Sequence, residues 1–473
     1  MREIEAGVGP FGFKSERGFV LNGTPSIEHY SKLWEMGSEN QAKLTGRSPS
    51  HLDRDRVLYS DAFRALDDKF HTLFYGNHRR ARNYTTHSLR AAHVARVSAQ
   101  RLGLNVELAE AVALASKVGS VPFIHRGRTQ VDVWVREQIA EMDRHHKETQ
   151  ESQARGTLFA MDEGTDELVV PSWLGGISSP KLRHEVQATI PWAAGDAQAK
   201  AYHSGIESYW TLTTNPYLRA ASNDGYLAET MYGAWRHSLG ERAALSDIFD
   251  HSMKLDSGQS ARQITQSNAT HEAVLGRYCD DITWVLENLN EAARVEALEG
   301  TKSVYARLAA RHREEFAPIS EAIMSEDSGK LYTYFIDDLV RTTGEAMRQA
   351  DPQARPSEIE PLVGLSGNAT RILKNMKLFL ETDVFTHPRL LFRNATLDVI
   401  LTSVLDLLYR SVEKDEDLVR LVRNQSRVQG WESAENLRKA TDALRDPLHR
   451  LQATVDVVTS MSDSDVFELI GLE

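Results

Sequence analysis

Several side chains in this sequence could do chemistry at a shared site: His87, His125, the adjacent carboxylates Asp280 and Asp281, Lys117, and a set of arginines. Imidazole and carboxylate groups bind divalent metals and transfer protons near neutral pH. Lysine and arginine would instead hold an anion, and phosphate suits an arginine fork well. Each residue also has a plainer reading. His87 lies near a helix start, where a histidine often caps or faces solvent, and His125 follows Pro122-Phe123 as a loop histidine would. Lys117 sits near a helix C-terminus, where the dipole favours a cation. Arg54, Arg56 and Arg64 recur at about one helical turn among Asp53, Asp61 and Asp67, the pattern of a charged face. His145-His146 with Glu141 and Asp143 could suggest a metal site, but adjacent helical residues do not share a face, so an exposed polar stretch is expected. A single cysteine, Cys279, excludes an internal disulfide and any cysteine-built zinc cage.

The elements that must position these groups read as helices. Val57, Leu58, Ala62, Phe63 and Leu66 fall at helical spacing behind a cap at Ser50 or Asp53. A turn at Gly76-Asn77-His78 leads to a helix carrying Leu89, Ala92, His93, Val97 and Leu102, closed by Gly103. Asn105 caps the next helix, which is expected to stop at Gly119, with Pro122 delaying resumption until near Thr129. Residues 151–265 look like short helices joined by loops, and Glu167–Val170 is the best strand candidate. A strong helix returns over Thr270–Val295, and helical patterning continues to the C-terminus between prolines. The expected organisation is an irregular arm over 1–45, a core over 46–300 with a loop-rich insertion at 140–265, and a helical region over 301–473. The fold class is mostly α.

Composition narrows the function classes. The 473 residues are 41% hydrophobic and 26% charged, as in an ordinary globular protein. With 55 basic against 67 acidic residues the net charge is −12, which argues against a nucleic-acid coat or a membrane-surface binder. Apolar runs fall short of the roughly 18 residues a membrane helix needs, and the N-terminus lacks a signal-peptide core, so a cytoplasmic protein without a membrane partner is expected. Arg79-Arg80-Ala81-Arg82 is the densest basic cluster and reads as a solvated loop, with contact to triphosphate or single-stranded nucleic acid as the alternative.

Three segments in order carry a resemblance. Asp53-Arg54-Asp55-Arg56-Val57-Leu58-Tyr59-Ser60 with Ala62-Phe63-Arg64, then Thr86-His87-Ser88-Leu89, then His271–Glu287 with Cys279-Asp280-Asp281-Ile282, resemble the dGTPase-like deoxynucleotide triphosphohydrolases of the HD-domain superfamily. The resemblance implies an HD-domain helical bundle in which two histidines and two aspartates hold a divalent metal, Mg or Mn. It also implies cleavage of a dNTP such as dGTP to deoxynucleoside and triphosphate. His87 and Asp280 stand where the first and last metal ligands would be. A helical wheel alone favours Asp281 as the inward carboxylate. The resemblance favours Asp280, because Trp284 four residues later stands where the family places a substrate-packing tyrosine.

The chain departs from the family at the centre of that site. Where the family reads Ala-His-Asp-Leu-Gly-His, this sequence reads Ala115-Ser116-Lys117-Val118-Gly119-Ser120, so the paired His and Asp become Ser116 and Lys117. His125 survives as the catalytic candidate, while its glutamate partner becomes Arg128. The family's Lys-Thr-Gln is Lys69-Phe70-His71, and an arginine before the first histidine is Tyr84, with Arg82 close by. These departures imply a vestigial metal site without a bound cofactor, Lys117 pairing with Asp280 in place of the metal. The nucleotide would be held by residues drawn from Arg54, Arg56, Arg64, Lys69, His71, Arg82, Lys117, Arg128 and Trp284. The expected function is a catalytically impaired nucleotide-binding or regulatory subunit, homo-oligomeric or assembled with an active paralogue. The alternatives are an active dNTP triphosphohydrolase and a nucleic-acid or protein-binding scaffold.

Overall fold

The computed structural model describes residues 48–70, 82–154, 177–189, 202–213, 226, 230, 233–234, 270–299, 303–311, 314–349, 362–411 and 446–471. The expected arm, the turn at Gly76-Asn77-His78, His71, Arg79 to Ala81, the strand candidate and most of 140–265 lie outside these residues. Among the described residues the chain is mostly helical, and the only extended pairing is an isolated antiparallel bridge between Phe70 and Asn83.

In chain order the helices are α1 (Pro49–Leu58), α2 (Asp61–Arg64), α3 (Tyr84–Leu102), α4 (Val106–Ala115), α5 (Ile124–Ala154), α6 (Pro180–Thr189), α7 (Ser204–Thr213) and α8 (His271–Glu299). They continue with α9 (Val304–Arg311), α10 (Ser320–Met324), α11 (Ser328–Gln349), α12 (Gly367–Phe379), α13 (Pro388–Ser411), α14 (Pro447–Ser460) and α15 (Asp463–Leu469). Local chemistry sets many of their ends. Asn83 Oδ1 accepts from Thr86 N at 2.9 Å to start α3, and Gly103 closes it with φ 71°. Asn105 Oδ1 accepts from Leu108 N at 3.0 Å to start α4, as its position before an apolar run predicts.

Three boundaries differ from the sequence reading. α1 is capped by Ser48, whose Oγ accepts from His51 N, because Pro49 is best placed in the first helical turn; Ser50 and Asp53 are therefore inside the helix. α4 ends at Ala115, and residues 116–119 form turns. α5 starts at Ile124, earlier than Thr129, because Phe123 and Ile124 adopt left-handed φ values of 58° and 45° that swing the chain directly into a new helix after Pro122. For a β-branched residue that conformation is an outlier costing on the order of 1–3 kcal/mol, and it persists only where the surroundings fix it.

Two hydrophobic cores explain what fixes it. The larger packs α1–α4 against α8–α12, with Val57, Leu66, Ala95, Leu275, Ile282, Leu289 and Phe335 fully or nearly fully buried. The second joins α5 to α13, α14 and α15 through Val131, Trp134, Leu401, Leu405, Leu451 and Val458. The turn from Ser116 to Ile124 is the seam. Val118 and Ile124 belong to the first core, Val121 and Phe123 to the second. Consecutive side chains at 123 and 124 thus enter different cores, and the packing of both holds the left-handed backbone that leads into α5.

Gly119 closes this seam. A Cβ there would lie directly against the backbone of Glu207 and Ser208 in α7. Replacing it with alanine should displace α7 and cost about 3 kcal/mol, the upper end of the usual overpacking range. Equilibrium urea unfolding of Gly119→Ala measures this, and a loss below about 1 kcal/mol would show that α7 yields easily.

Candidate functional site

The candidate site is a chain of buried polar groups where α3, the 116–123 turn and α8 meet. His87, in the first turn of α3, is 1% exposed. Its Nε2 lies 3.0 Å from Asp280 Oδ1 and its Nδ1 lies 2.7 Å from Glu287 Oε2, both carboxylates standing on α8. Lys117, 2% exposed, extends from the turn and places Nζ 2.7 Å from the other oxygen of Asp280. Behind His87, Glu287 also receives Arg82 Nη1 at 2.8 Å and Arg90 Nη1 at 2.8 Å, while Arg82 Nη2 lies 3.6 Å from Glu291. Cations and carboxylates alternate from Lys117 to Glu291.

The protonation of His87 follows from these partners. Ionised carboxylates only accept hydrogen bonds, so a ring flanked by two of them must donate from both nitrogens and be an imidazolium. Burial alone would lower its pKa. The hydrogen bonds and charges of Asp280 and Glu287 outweigh that, and the net shift is upward from 6.5. A raised folded pKa contributes stability that is complete below pH 6.5 and is lost as pH rises through the folded value. Stability should therefore fall between neutral and alkaline pH in the wild type, and this component should be missing from His87→Gln. Urea unfolding at pH 6, 7.5 and 9 checks the difference between the two proteins; equal pH slopes would disprove it.

A second group covers the other side of the turn. Tyr84 stacks on His87 with ring centroids 5.3 Å apart, and its hydroxyl receives Arg128 Nη2 at 2.9 Å. The same Arg128 nitrogen donates to Ser120 Oγ at 2.7 Å. Burial would raise the Tyr84 phenol, yet the charges of Arg128, Lys117 and His87 together lower it, which marks a positive field. His125 Nε2 accepts from Trp284 Nε1 at 2.7 Å, so its proton resides on Nδ1. Recession of the ring, with Arg128 and His87 nearby, holds this imidazole well below its usual range, so it stays neutral. Asp280, His125, Arg128 and Trp284 are the partly exposed members.

The structure thus gathers His87, Lys117, His125, Arg128, Asp280 and Trp284 within one network, with Arg82 at its rear. Asp280 is the carboxylate bonded to His87 and Lys117, although the helical wheel points to Asp281. The wheel misleads because α8 is buried on two sides: Ile282 and Val285 are 0% and 1% exposed, while Glu287 and Glu291 on another face are 3% and 4% exposed.

The remaining nucleotide-binding candidates lie elsewhere. Arg54 pairs with Asp55 and Glu110, and Arg64 with Asp61 at 3.4 Å on the surface, as the charged-face reading describes, whereas Arg56 and Asp53, 3.2 Å apart, form a buried pair. Lys69 is a correction: it is 0% exposed, and its ammonium donates to the carbonyls of Ser120 and Thr459 at 2.5 and 2.6 Å. Its role is to join parts of the protein, because an amine buried this deeply must spend its donors on fixed acceptors. Ser116 Oγ donates to the Ala113 carbonyl as a helix-end group. His145 is exposed and pairs with Glu141 and Glu148.

Sequence reasoning missed Glu287, Glu291, Arg90 and Ser120, and treated Tyr84 only as a lost arginine. A signal was present on α8, where Asp280, Trp284, Glu287 and Glu291 repeat at intervals of four, three and four. That spacing is one helical stripe, so Asp280 predicts that Glu287 and Glu291 share its side.

Among the described residues no group of three or more His, Cys, Asp or Glu side chains is arranged to hold a metal ion, and no helix is long and apolar enough to cross a membrane.

No family profile matches the chain. It is 27% identical over 274 residues to a deoxyguanosinetriphosphate triphosphohydrolase-like protein of Cereibacter sphaeroides, covering 55% of this chain and 68% of the relative. A shorter stretch of 133 residues is 39% identical to deoxyguanosinetriphosphate triphosphohydrolase-like protein 1 of Deinococcus radiodurans, 27% of this chain and 33% of the relative. Over 88 residues it is 46% identical to a protein of the same description from Rhodopseudomonas palustris, 18% of this chain and 21% of the relative. With the ordered motifs around His87 and Asp280 folded onto one buried network, the chain is similar to dGTPase-like proteins.

Proposed function

We propose that this dGTPase-like protein binds a deoxynucleotide through its phosphates without hydrolysing it, and that Lys117 has taken the place of a divalent cation. The observation that carries this reading is the Lys117 ammonium 2.7 Å from Asp280, with His87 on the other carboxylate oxygen. Both oxygens of Asp280 are thereby engaged. His87 donates from both nitrogens and has no lone pair free for a metal. The Ser116 hydroxyl is a weak divalent ligand and is turned toward the Ala113 carbonyl. A dication at about 4 Å from an ammonium would be repelled by about 8 kcal/mol at an effective dielectric of 20, twice the unit-charge value. The residues present therefore do not fit the metal that the resemblance implies.

They do fit an anion. Arg128 is held in place by Tyr84 and Ser120 at the partly exposed edge of the network, and Lys117 lies on the same turn. A phosphate arriving there would meet the outer edge of the Arg128 guanidinium and a positive field, with charge-assisted hydrogen bonds as the source of affinity. Trp284, exposed in part and held by His125, carries the Lys377 ammonium over its ring at 5.6 Å from the centroid, a further cation at this edge. His125 Nε2 is occupied by that tryptophan and its ring stays neutral, so it is poorly prepared to deliver a proton. The result is a binding site that lacks both a metal-activated nucleophile and a ready acid.

A thermal-shift panel of the four dNTPs, with and without Mg or Mn, tests this together with an assay for released triphosphate. Stabilisation by dNTP alone, without triphosphate, is the expected result. Metal-dependent release of triphosphate would replace this reading with that of an active hydrolase.

A further inference from the structure

Besides the two cores, polar anchors outside the site hold the Lys117-bearing turn. Phe123 N–H, at the strained step into α5, donates to Asp463 Oδ1 at 2.7 Å. Asp463 opens α15, is 4% exposed, and takes Phe70 N–H on its second oxygen at 3.0 Å. Both carboxylate oxygens thus accept backbone N–H groups from two segments distant in sequence. Lys69, directly before Phe70, donates to the Ser120 carbonyl on one side and to the Thr459 carbonyl of α14 on the other. The rings of Phe123 and Phe467 lie 5.5 Å apart, so side-chain packing joins the same two elements. Ser120 in turn receives Arg128 through its hydroxyl. The C-terminal helices therefore hold the backbone on both sides of Val121-Pro122, three to six residues from Lys117.

We infer that α14 and α15 form a clamp that sets the geometry of the site, with Asp463 and Lys69 as positioning residues that hold the 117–124 turn in the conformation that pairs Lys117 with Asp280 and presents Arg128 to a ligand. The physical reason is the backbone itself. Left-handed φ at Phe123 and Ile124 is unfavourable for these residues, and the turn would relax if its N–H lost the carboxylate that fixes it. Relaxation would move Ser120, and with it the hydroxyl that fixes Arg128. Glu207, Asp465, Arg128 and Asp68 are the other charged groups that act on this pair. Burial pushes the Asp463 carboxyl up to about 7 and the Lys69 amine down to about 7. The inference takes the site to be the phosphate site proposed above, and its test is chosen to separate the two.

Amide hydrogen exchange and dGTP titration calorimetry would be compared in the full-length protein for wild type, Asp463→Ala, Asp463→Asn and Lys69→Met. The expected result for Asp463→Ala is at least 100-fold faster exchange across residues 117–124, with helices α3 and α4 unchanged and dGTP affinity reduced about tenfold. Asp463→Asn keeps one acceptor and should recover part of both effects. Lys69→Met should reproduce them if Asp463→Ala does not fold. Exchange that rises equally in α3, α4 and the turn would mean a merely structural role and overturn the clamp, as would unchanged exchange in the turn. Wild-type protein that shows no dGTP binding would refute the nucleotide reading, while the exchange comparison would still decide the clamp.

Discussion

Replacing Glu287 with alanine should destabilise the protein by about 3–5 kcal/mol, a large fraction of the 5–15 kcal/mol typical of a folded domain. The carboxylate is 2% exposed by its side chain and accepts from His87, Arg82 and Arg90 at 2.7, 2.8 and 2.8 Å. Its removal leaves the Arg82 guanidinium, 7% exposed, facing only Glu291 at 3.6 Å. An uncompensated buried cation is costly because water cannot replace the lost partner. Although burial would raise the Glu287 carboxyl, its bonds to His87 and the charge of Arg82 lower it, so the native site binds the ionised form. Glu287→Gln keeps the shape and some hydrogen bonds and should lose less, about 1.5–3 kcal/mol. Urea denaturation of the three proteins at pH 7 provides the measurement. A loss under 1 kcal/mol for Glu287→Ala would mean that solvent reaches Arg82 and that the network is not closed.

Rebuilding the ligand pair should convert the cluster into a metal site. In the double variant Ser116→His with Lys117→Asp, the ammonium beside Asp280 is replaced by a carboxylate and an imidazole is added. Removing a repulsion of about 8 kcal/mol at an effective dielectric of 20 sets a ceiling on the gain. A realised change of half that size would already be roughly a thousandfold in affinity. His87 should also shed its proton and turn a nitrogen lone pair to the ion, so Mn or Co binding should strengthen as pH rises. Isothermal titration with Mn at pH 7 and 8 reads both effects. Wild-type protein that binds Mn as tightly as the double variant would refute the substitution of lysine for metal. A double variant that folds but gains no affinity would show that the backbone at 116–117 no longer aims side chains at one point.

Much of the local structure was legible in the sequence because short-range rules govern it. Asn83, Gly103 and Asn105 mark helix ends by their own conformational and hydrogen-bonding preferences, and α8 was evident from its apolar repeat. The site was half legible. His87, Lys117, Asp280, His125 and Trp284 could be singled out through the resemblance, and the charge reversal at Lys117 suggested a pairing with Asp280. Lys69 was misjudged because a lysine in a phosphate-binding context reads as a ligand, whereas its fully buried amine is spent on two carbonyls. Asp463 could not be seen at all: it is separated by 340 residues from the amide it holds.

The sequence by itself determined the helical class, several helix termini and the set of ionisable groups, since each depends on neighbours within a turn or two. Only the tertiary structure decided which carboxylate faces His87, that Glu287 forms the rear of the network, and that Phe123 and Ile124 adopt left-handed backbone. Those outcomes arise where two cores meet: burial forces adjacent side chains apart and forces every buried charge to find a partner, and neither demand can be expressed by residues close in the chain.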